Sequence, residues 1–342
     1  MEYNSEQLAD PNSELGDVDP IYKRKQCIKK YLLKNIYDQL VRIIVEYDYD
    51  FCGKLYKTID ANDVLQSITC GIIFSIHALD DYKIAICTSG NILRILDIEK
   101  NEYTSISHKH GGIYRAVISN RNIVTIPSGV GTIDVYDQNN NCIMQISEKG
   151  LIFCTTCMLD GRIVTYAQYN NHHHQKKCMT IWNPNNGRAE TVIEIYSTIE
   201  CITALNNRLL VTGDSLGNIK IWDSVNGECK RTLAGHKYIV TCIAVDSAGL
   251  IISGSMDETI KIWNHDGHCI NTLKGHNETI RDILVLPNGI ILSQSRNVLK
   301  IWDPLKGECL SSWEIDEIIN CIVLKNGLVA CLSKNNKIYI YY

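Results

Sequence analysis

A short pattern recurs seven times along the 342 residues. Each copy is an alternating apolar stretch that ends in an aromatic residue or Leu, usually followed by Asp or Asn. The copies are Ile95-Leu96-Asp97, Val135-Tyr136-Asp137, Ile181-Trp182-Asn183, Ile221-Trp222-Asp223, Ile262-Trp263-Asn264, Ile301-Trp302-Asp303 and Ile340-Tyr341-Tyr342. They are spaced by 40, 46, 40, 41, 39 and 39 residues. A period near 40 with only short, turn-bounded apolar runs inside it predicts four small strands per unit. Residues 241–273 show them best: Thr241–Val245, Leu250–Ser253, Thr259–Trp263 and Cys269–Leu273. No helical period of comparable strength follows residue 52.

The last copy stops at Tyr342, at the end of a third strand. The stretch Gly53-Lys54-Leu55-Tyr56-Lys57-Thr58-Ile59 matches Gly227-Glu228-Cys229-Lys230-Arg231-Thr232-Leu233, a fourth strand. The segment before the first repeat should therefore complete the last unit and close a ring. Closure removes the open edges that invite aggregation.

Gly235-His236 and Gly275-His276, together with the Trp-Asp and Trp-Asn endings, resemble the WD-repeat family over residues 53–342. The resemblance implies an all-β fold, a seven-bladed propeller with blade ends near 97, 137, 183, 223, 264, 303 and 342. It also implies a network in which His and Ser bridge Asp to the Trp ring nitrogen. His236, Ser253, Asp257 and Trp263 supply all four members in the fifth blade. The sixth keeps His276, Ser293 and Trp302, with Arg296 where Asp would stand; the fourth keeps Thr212 and Trp222, with Ile195 in the His position. The other blades depart further, so the N-terminal half is expected to be less rigid. Three of the fifth-blade residues spell a hydrolase triad, but a buried polar network with every member satisfied is the structural reading.

Other chemistry-like patterns carry little. Cys154-x-x-Cys157 lies in an expected strand, where residues three apart face opposite sides, and no second Cys pair follows at zinc spacing. The third repeat is six residues longer than its neighbours. The excess, Tyr169–Lys177, reads as a solvated loop carrying His172, His173 and His174, a partner contact or an adventitious metal trap. Gly129-Val130-Gly131 is a strand turn without the helix that a phosphate loop needs. No cofactor is expected.

Fifteen cysteines are many, yet Cys201, Cys242 and Cys321, like Cys229, Cys269 and Cys309, recur at equivalent places in successive repeats. Half-buried thiols packed between sheets are expected, rather than a disulfide framework. The net charge of −4 and mixed signs leave no extended basic surface for nucleic acid. No run of 18 apolar residues exists, so no membrane span is expected. Residues 1–20 are acidic and contain no Lys or Arg. They read as a disordered tail rather than a secretory signal, and point to a cytoplasmic protein.

Function in a propeller lives on its faces. Alignment to the Gly-His repeats places these residues at the upper channel mouth: Ile239, Thr241 and Met256; Thr279, Arg281 and Ser295, with Arg296 beside it; Thr198, Glu200 and Ser215; Ile318, Asn320 and Lys334; and Tyr114 or Arg115. Arg281 and Arg296 together suit a phosphate or carboxylate, with Glu200, Asp316 and Glu317 nearby as competitors; the alternative is a set of ordinary solvated loop charges.

Residues 21–50 read as an amphipathic helical segment. Ile28, Leu32, Ile36, Leu40, Ile43 or Ile44, and Tyr47 form one stripe, with most lysines opposite. The stretch from Ile43 to Phe51 is similar to WD-repeat proteins of large amoeba-infecting DNA viruses, in which a BTB or F-box-like module precedes the propeller and docks on ubiquitin-ligase machinery. Here about thirty residues stand in that place, too few for a BTB domain. Packing against a blade is the first expectation and adaptor docking the second. As a whole the sequence reads as a non-catalytic scaffold that binds proteins or peptides. A ubiquitin-ligase substrate receptor is the alternative.

Overall fold

A computed structural model describes residues 55–60, 73–90, 92–108, 112–119, 122–127, 131–171, 174–264, 266–314, 318–324, 326–334 and 336–341. The acidic tail and the amphipathic segment fall outside these, as do His172, His173, Asp316 and Glu317. Among the described residues twenty-eight strands form seven four-stranded antiparallel sheets. Each sheet is one blade, and no helix occurs among the described residues. Blades one to six run in chain order over residues 73–107, 113–148, 151–194, 199–234, 240–273 and 282–314. Blade seven takes three strands from residues 318–341 and its outermost from Leu55–Asp60, which pairs antiparallel with Lys337–Tyr341. The ring is closed by the N-terminal strand, as the sequence requires.

Burial follows radial position. The second strand of blade five, Ile251–Ser255, is buried throughout, because both faces of the blade are covered by neighbours. The outermost strand of blade four, Cys229–Ala234, is exposed except at Leu233. Ile106, Ile146, Ile193 and Leu273 play the same part in other blades. Seven apolar clusters result, one at each blade-to-blade seam. Burying one such Ile or Leu is worth about 1.5–3 kcal/mol, so seams hold the ring together. They are unequal. The seam between blades seven and one contains thirteen buried residues, and that between six and seven only five among those described.

Two expectations need correction here. The extra length of the third repeat is no loop: Ile163–Asn171 and His174–Trp182 extend as paired strands up to Asn171 opposite His174. Cysteine placement also differs. Cys229, Cys269 and Cys309 are exposed on outer strands. Cys321 does not share the row of Cys201 and Cys242: Asn320 follows the bulge of its strand as those two cysteines follow the bulges of theirs, and Cys321 comes one residue later. Shifted by one, Cys321 lies opposite Cys331, and the two form a disulfide. An offset of one residue moves a side chain to the other face of a strand.

Candidate interaction surface

The channel wall is built from the innermost strands. In every blade except the sixth that strand bulges at its start, and the residue after the bulge holds the same register in each. The resulting row is Ser75, Arg115, Cys154, Cys201, Cys242 and Asn320, and Asp282 completes it in the sixth blade. Side chains at or beside this row bridge all seven seams. Ser75 Oγ donates to Tyr114 O at 2.8 Å, Arg115 Nη1 to Thr155 O at 3.4 Å, and Cys154 Sγ to Glu200 O at 3.0 Å. Cys201 Sγ donates to Val240 O, Thr241 Oγ1 to Ile280 O, and Gln294 Nε2 to Ile318 O. Asn320 closes the ring by donating to Ile76 O at 3.0 Å and accepting from Ile76 N at 3.1 Å. Each bond contributes about 1 kcal/mol net. Thr241 and Asn320 thus serve the framework. Burial lifts the Asp282 carboxyl to about 6 despite Arg115. It pushes the Cys154 and Cys157 thiols up to about 12, where they are poor nucleophiles and metal ligands.

Beneath the loops lie the tryptophan networks. In blade five Trp263 Nε1 donates to Ser253 Oγ at 2.9 Å, and that oxygen is 2.8 Å from His236 Nε2. His236 Nδ1 sits 2.9 Å from Asp257 Oδ2, which also accepts from Lys237 N at 2.9 Å; Thr259 Oγ1 donates to Oδ1 of the same carboxylate at 2.6 Å. Burial would raise the Asp257 carboxyl, but these bonds outweigh it and hold it at about 2. Burial lowers the His236 imidazole, with Asp257 opposing. In blade six Trp302 and His276 share Ser293 at 2.8 and 2.6 Å, but His276 Nδ1 is buried with no hydrogen-bond partner among the described residues. Burial, with Lys300 adding to it, lowers that imidazole to about 4. In blade four Trp222 donates to Thr212 at 2.9 Å, and Ile195 packs in the core.

Blades two and three hold networks that the sequence reading missed. Trp182 Nε1 donates to Thr165 Oγ1 at 2.9 Å, and Thr165 donates to Glu148 at 3.4 Å. Glu148 also accepts from Tyr169 Oη at 2.6 Å and Gly150 N at 3.0 Å. It therefore stands where the other blades have His. In blade two the buried Asp134 lies 3.0 Å from His108 and accepts from Tyr136 and Gln145. The available signal was spacing: Glu148 precedes Thr165 by 17 residues, as His236 precedes Ser253 and His276 precedes Ser293.

The loops joining blades, and the turns between second and third strands, emerge on one face. Tyr196 (91% exposed), Leu216 (71%), Tyr238 (63%) and Met256 (46%) stand there on blades three to five. Further round the same face Arg281, Arg296, Asn297, Ile318 and Lys334 line a pocket of about 170 Å³ between blades six and seven. Glu200 and Tyr114 are exposed, whereas Ile239, Thr279, Thr198, Ser215 and Arg115 are half-buried. Ile318 and Ser295 are buried, so they are framework and pocket floor rather than free contacts. Thr198 accepts from Lys177 Nζ at 2.8 Å. The opposite face carries a wider depression of about 690 Å³ between blades four and five, lined in part by Leu159, Leu205 and Val245.

Residues 227–264 and 267–303 match the family model of the WD domain, G-beta repeat. The chain is similar to WD-repeat proteins over those residues. Those two stretches contain the networks of blades five and six, the pair with His and Ser both in place. The blades where Glu148 or Ile195 replaces a member, and blade two with Asp134 beside His108, lie outside the match. The WD40 beta propeller domain of Doa1, known from a crystal structure, is similar with a TM-score of 0.68. The likeness covers 84% of this chain and 96% of that one at 18% identity, so it concerns the fold alone. No curated protein sequence matches.

Proposed function

We propose that the chain is a non-catalytic scaffold that binds protein or peptide partners on the propeller face bearing the blade-joining loops. WD propellers generally serve as such scaffolds. The observation that carries the reading is the run of Tyr196, Leu216, Tyr238 and Met256, large apolar side chains exposed together on three consecutive blades. Exposed apolar groups clustered on one face mark interaction sites. The triad-like residues support a non-catalytic role, because the buried Ser253 hydroxyl is held between the Trp263 ring N–H and His236 and has no room for a substrate.

Two finer readings rest on the sequence. One places the protein in the cytoplasm. The other makes it a ubiquitin-ligase substrate receptor that docks an adaptor through residues 21–50, and a chain lacking those residues should then lose the adaptor alone. The main test is affinity capture with the full chain and with a Tyr196→Ala/Leu216→Ser/Tyr238→Ala variant whose circular dichroism is unchanged. Loss of the specific partners is expected, with Leu159→Ser on the other face as a control that retains them. Identical partners from all three proteins would overturn the choice of face.

A further inference from the structure

We propose that the blade at which the ring closes carries a redox switch. There the Cys321–Cys331 disulfide stands in for the hydroxyl network of the other blades, and its reduction loosens the blade. The first observation is the position of Cys331. In blade five the bridging Ser253 lies opposite Ile243 of the inner strand, and Trp263 lies opposite Ile251. Ser293, Thr212, Thr165 and Thr125 lie opposite Ile283, Ile202, Thr155 and Ala116 in the same register. Cys331 holds that place in blade seven, opposite Cys321, and Tyr341 stands opposite Val329 in the tryptophan position. Where blade five has an oxygen shared by Trp263 and His236, blade seven has a sulfur bonded to the neighbouring strand.

The second observation is what surrounds the pair. Blade one also lacks the hydroxyl, but its Ile86 packs in the seam of thirteen buried residues. The seam that holds Cys321 and Cys331 has five among those described, the two cysteines included. The third is what the bond joins. The inner strand Ile318–Val323 grips blade one through Asn320, which bonds both backbone groups of Ile76. The second strand, Val329–Ser333, carries Lys337–Tyr341 and, through it, the N-terminal strand Leu55–Asp60. The disulfide therefore ties the seam on blade one to the strands that close the ring. In the cytoplasm proposed above, disulfides are transient and redox-sensing rather than permanent.

The switching step is exchange with a small-molecule disulfide of the glutathione class. One cysteine thiolate attacks a sulfur of that disulfide and expels one glutathione thiolate. The second cysteine thiolate then attacks the mixed disulfide and expels the other. Two cysteine thiols are oxidised, two glutathione thiols form, and the two cysteine protons pass to them through solvent. Reduction runs the same steps backward. Cys321 and Cys331 are 2% and 0% exposed, so exchange requires the blade to open.

The test equilibrates the full chain in glutathione buffers from oxidising to reducing, then quenches with acid and alkylates. Lys325 lies between the two cysteines, so trypsin releases two peptides joined by this bond alone. The joined pair should be present in oxidising buffer and disappear as the buffer becomes reducing. Across the same range amide exchange should quicken about tenfold or more in Val329–Ser333, Lys337–Tyr341 and Leu55–Asp60, and stay unchanged in blade four. Cys321→Ala/Cys331→Ala should exchange at the fast rate in every buffer. Should that variant fail to fold, the wild-type titration decides by itself. Blade-seven exchange that ignores the state of the bond would overturn the proposal, as would a joined pair that is never found. A bond that survives strongly reducing buffer would be a permanent staple and no switch. A reductant effect that persists in the double variant would belong to other cysteines and sink the assignment.

Discussion

Blades five and six begin with the same Gly-His pair and end with the same buried tryptophan, yet one turn separates them. In blade five the turn between second and third strands delivers Asp257 to His236. In blade six the separation from serine to tryptophan falls from ten residues to nine, and the turn delivers Arg296 and Asn297 to the surface. The first arrangement satisfies a buried imidazole at both nitrogens. The second leaves one nitrogen orphaned and places a cation in a pocket. A repeat that keeps its Ser-Trp anchor tolerates the loss of its outermost member, and the freed position becomes available for binding. Stability and recognition compete at that turn.

The largest test of this contrast removes the shared anchor. Trp263→Ala and Trp302→Ala each take out a fully buried ring and should destabilise the propeller by about 3–5 kcal/mol in urea unfolding. Near-zero cost at either would mean that the network is not what holds its blade. Next, Ser253→Ala strands both a ring N–H and His236, and should cost about 2 kcal/mol. Ser293→Ala should cost less, because blade six has already lost one link. Equal losses would show that Asp257 adds nothing to the chain of bonds.

Acid should separate the blades. The His276 pKa is lowered from 6.5 to about 4 by burial, so the unfolded chain takes up that proton first. Its stabilisation is complete above pH 6.5 and is lost as pH falls to about 4. Asp257, lowered from 3.8 to about 2 because its hydrogen bonds outweigh burial, contributes above pH 3.8 and loses its share as pH falls toward 2. His276→Gln should therefore flatten the stability profile between pH 6.5 and 4, and Asp257→Asn only the limb below 4. A profile in which His276→Gln leaves the upper limb unchanged would place the proton elsewhere. The smallest effect belongs to Arg296→Asp, which offers His276 a carboxylate. It should raise stability by about 0.5–1 kcal/mol while lifting the His276 pKa in an NMR titration. No change in either would mean that the shorter turn cannot reach the imidazole.

Much of this molecule was written locally. The period near 40 residues, the four strands per repeat, the closing strand at Leu55–Asp60 and the fifth-blade residues His236, Ser253, Asp257 and Trp263 all follow from patterns within a few tens of residues. Such patterns record alternation, turns and equivalent positions, which are properties of the chain itself. The networks of blades two and three were only half legible, since a carboxylate at Glu148 or Asp134 has no place in the expected residue types. Glu148 stands 17 residues before the bridging Thr165 hydroxyl, the position that His236 and His276 hold before their serines.

Tertiary structure alone decided the rest. The register of blade seven put Asn320, not Cys321, in the row of Cys201 and Cys242 and paired Cys321 with Cys331. Thr241 and Ile318 looked like partner contacts, but one bridges a seam and the other is buried at one. Seams join residues some 40 positions apart, and 244 apart where Asn320 meets Ile76. Whether a seam is filled or left open depends on how two separately encoded blades pack. The sequence determined the blades, because strand and turn chemistry act at short range. The pocket between blades six and seven arises from the space that packing leaves between them, a quantity that neither blade carries alone.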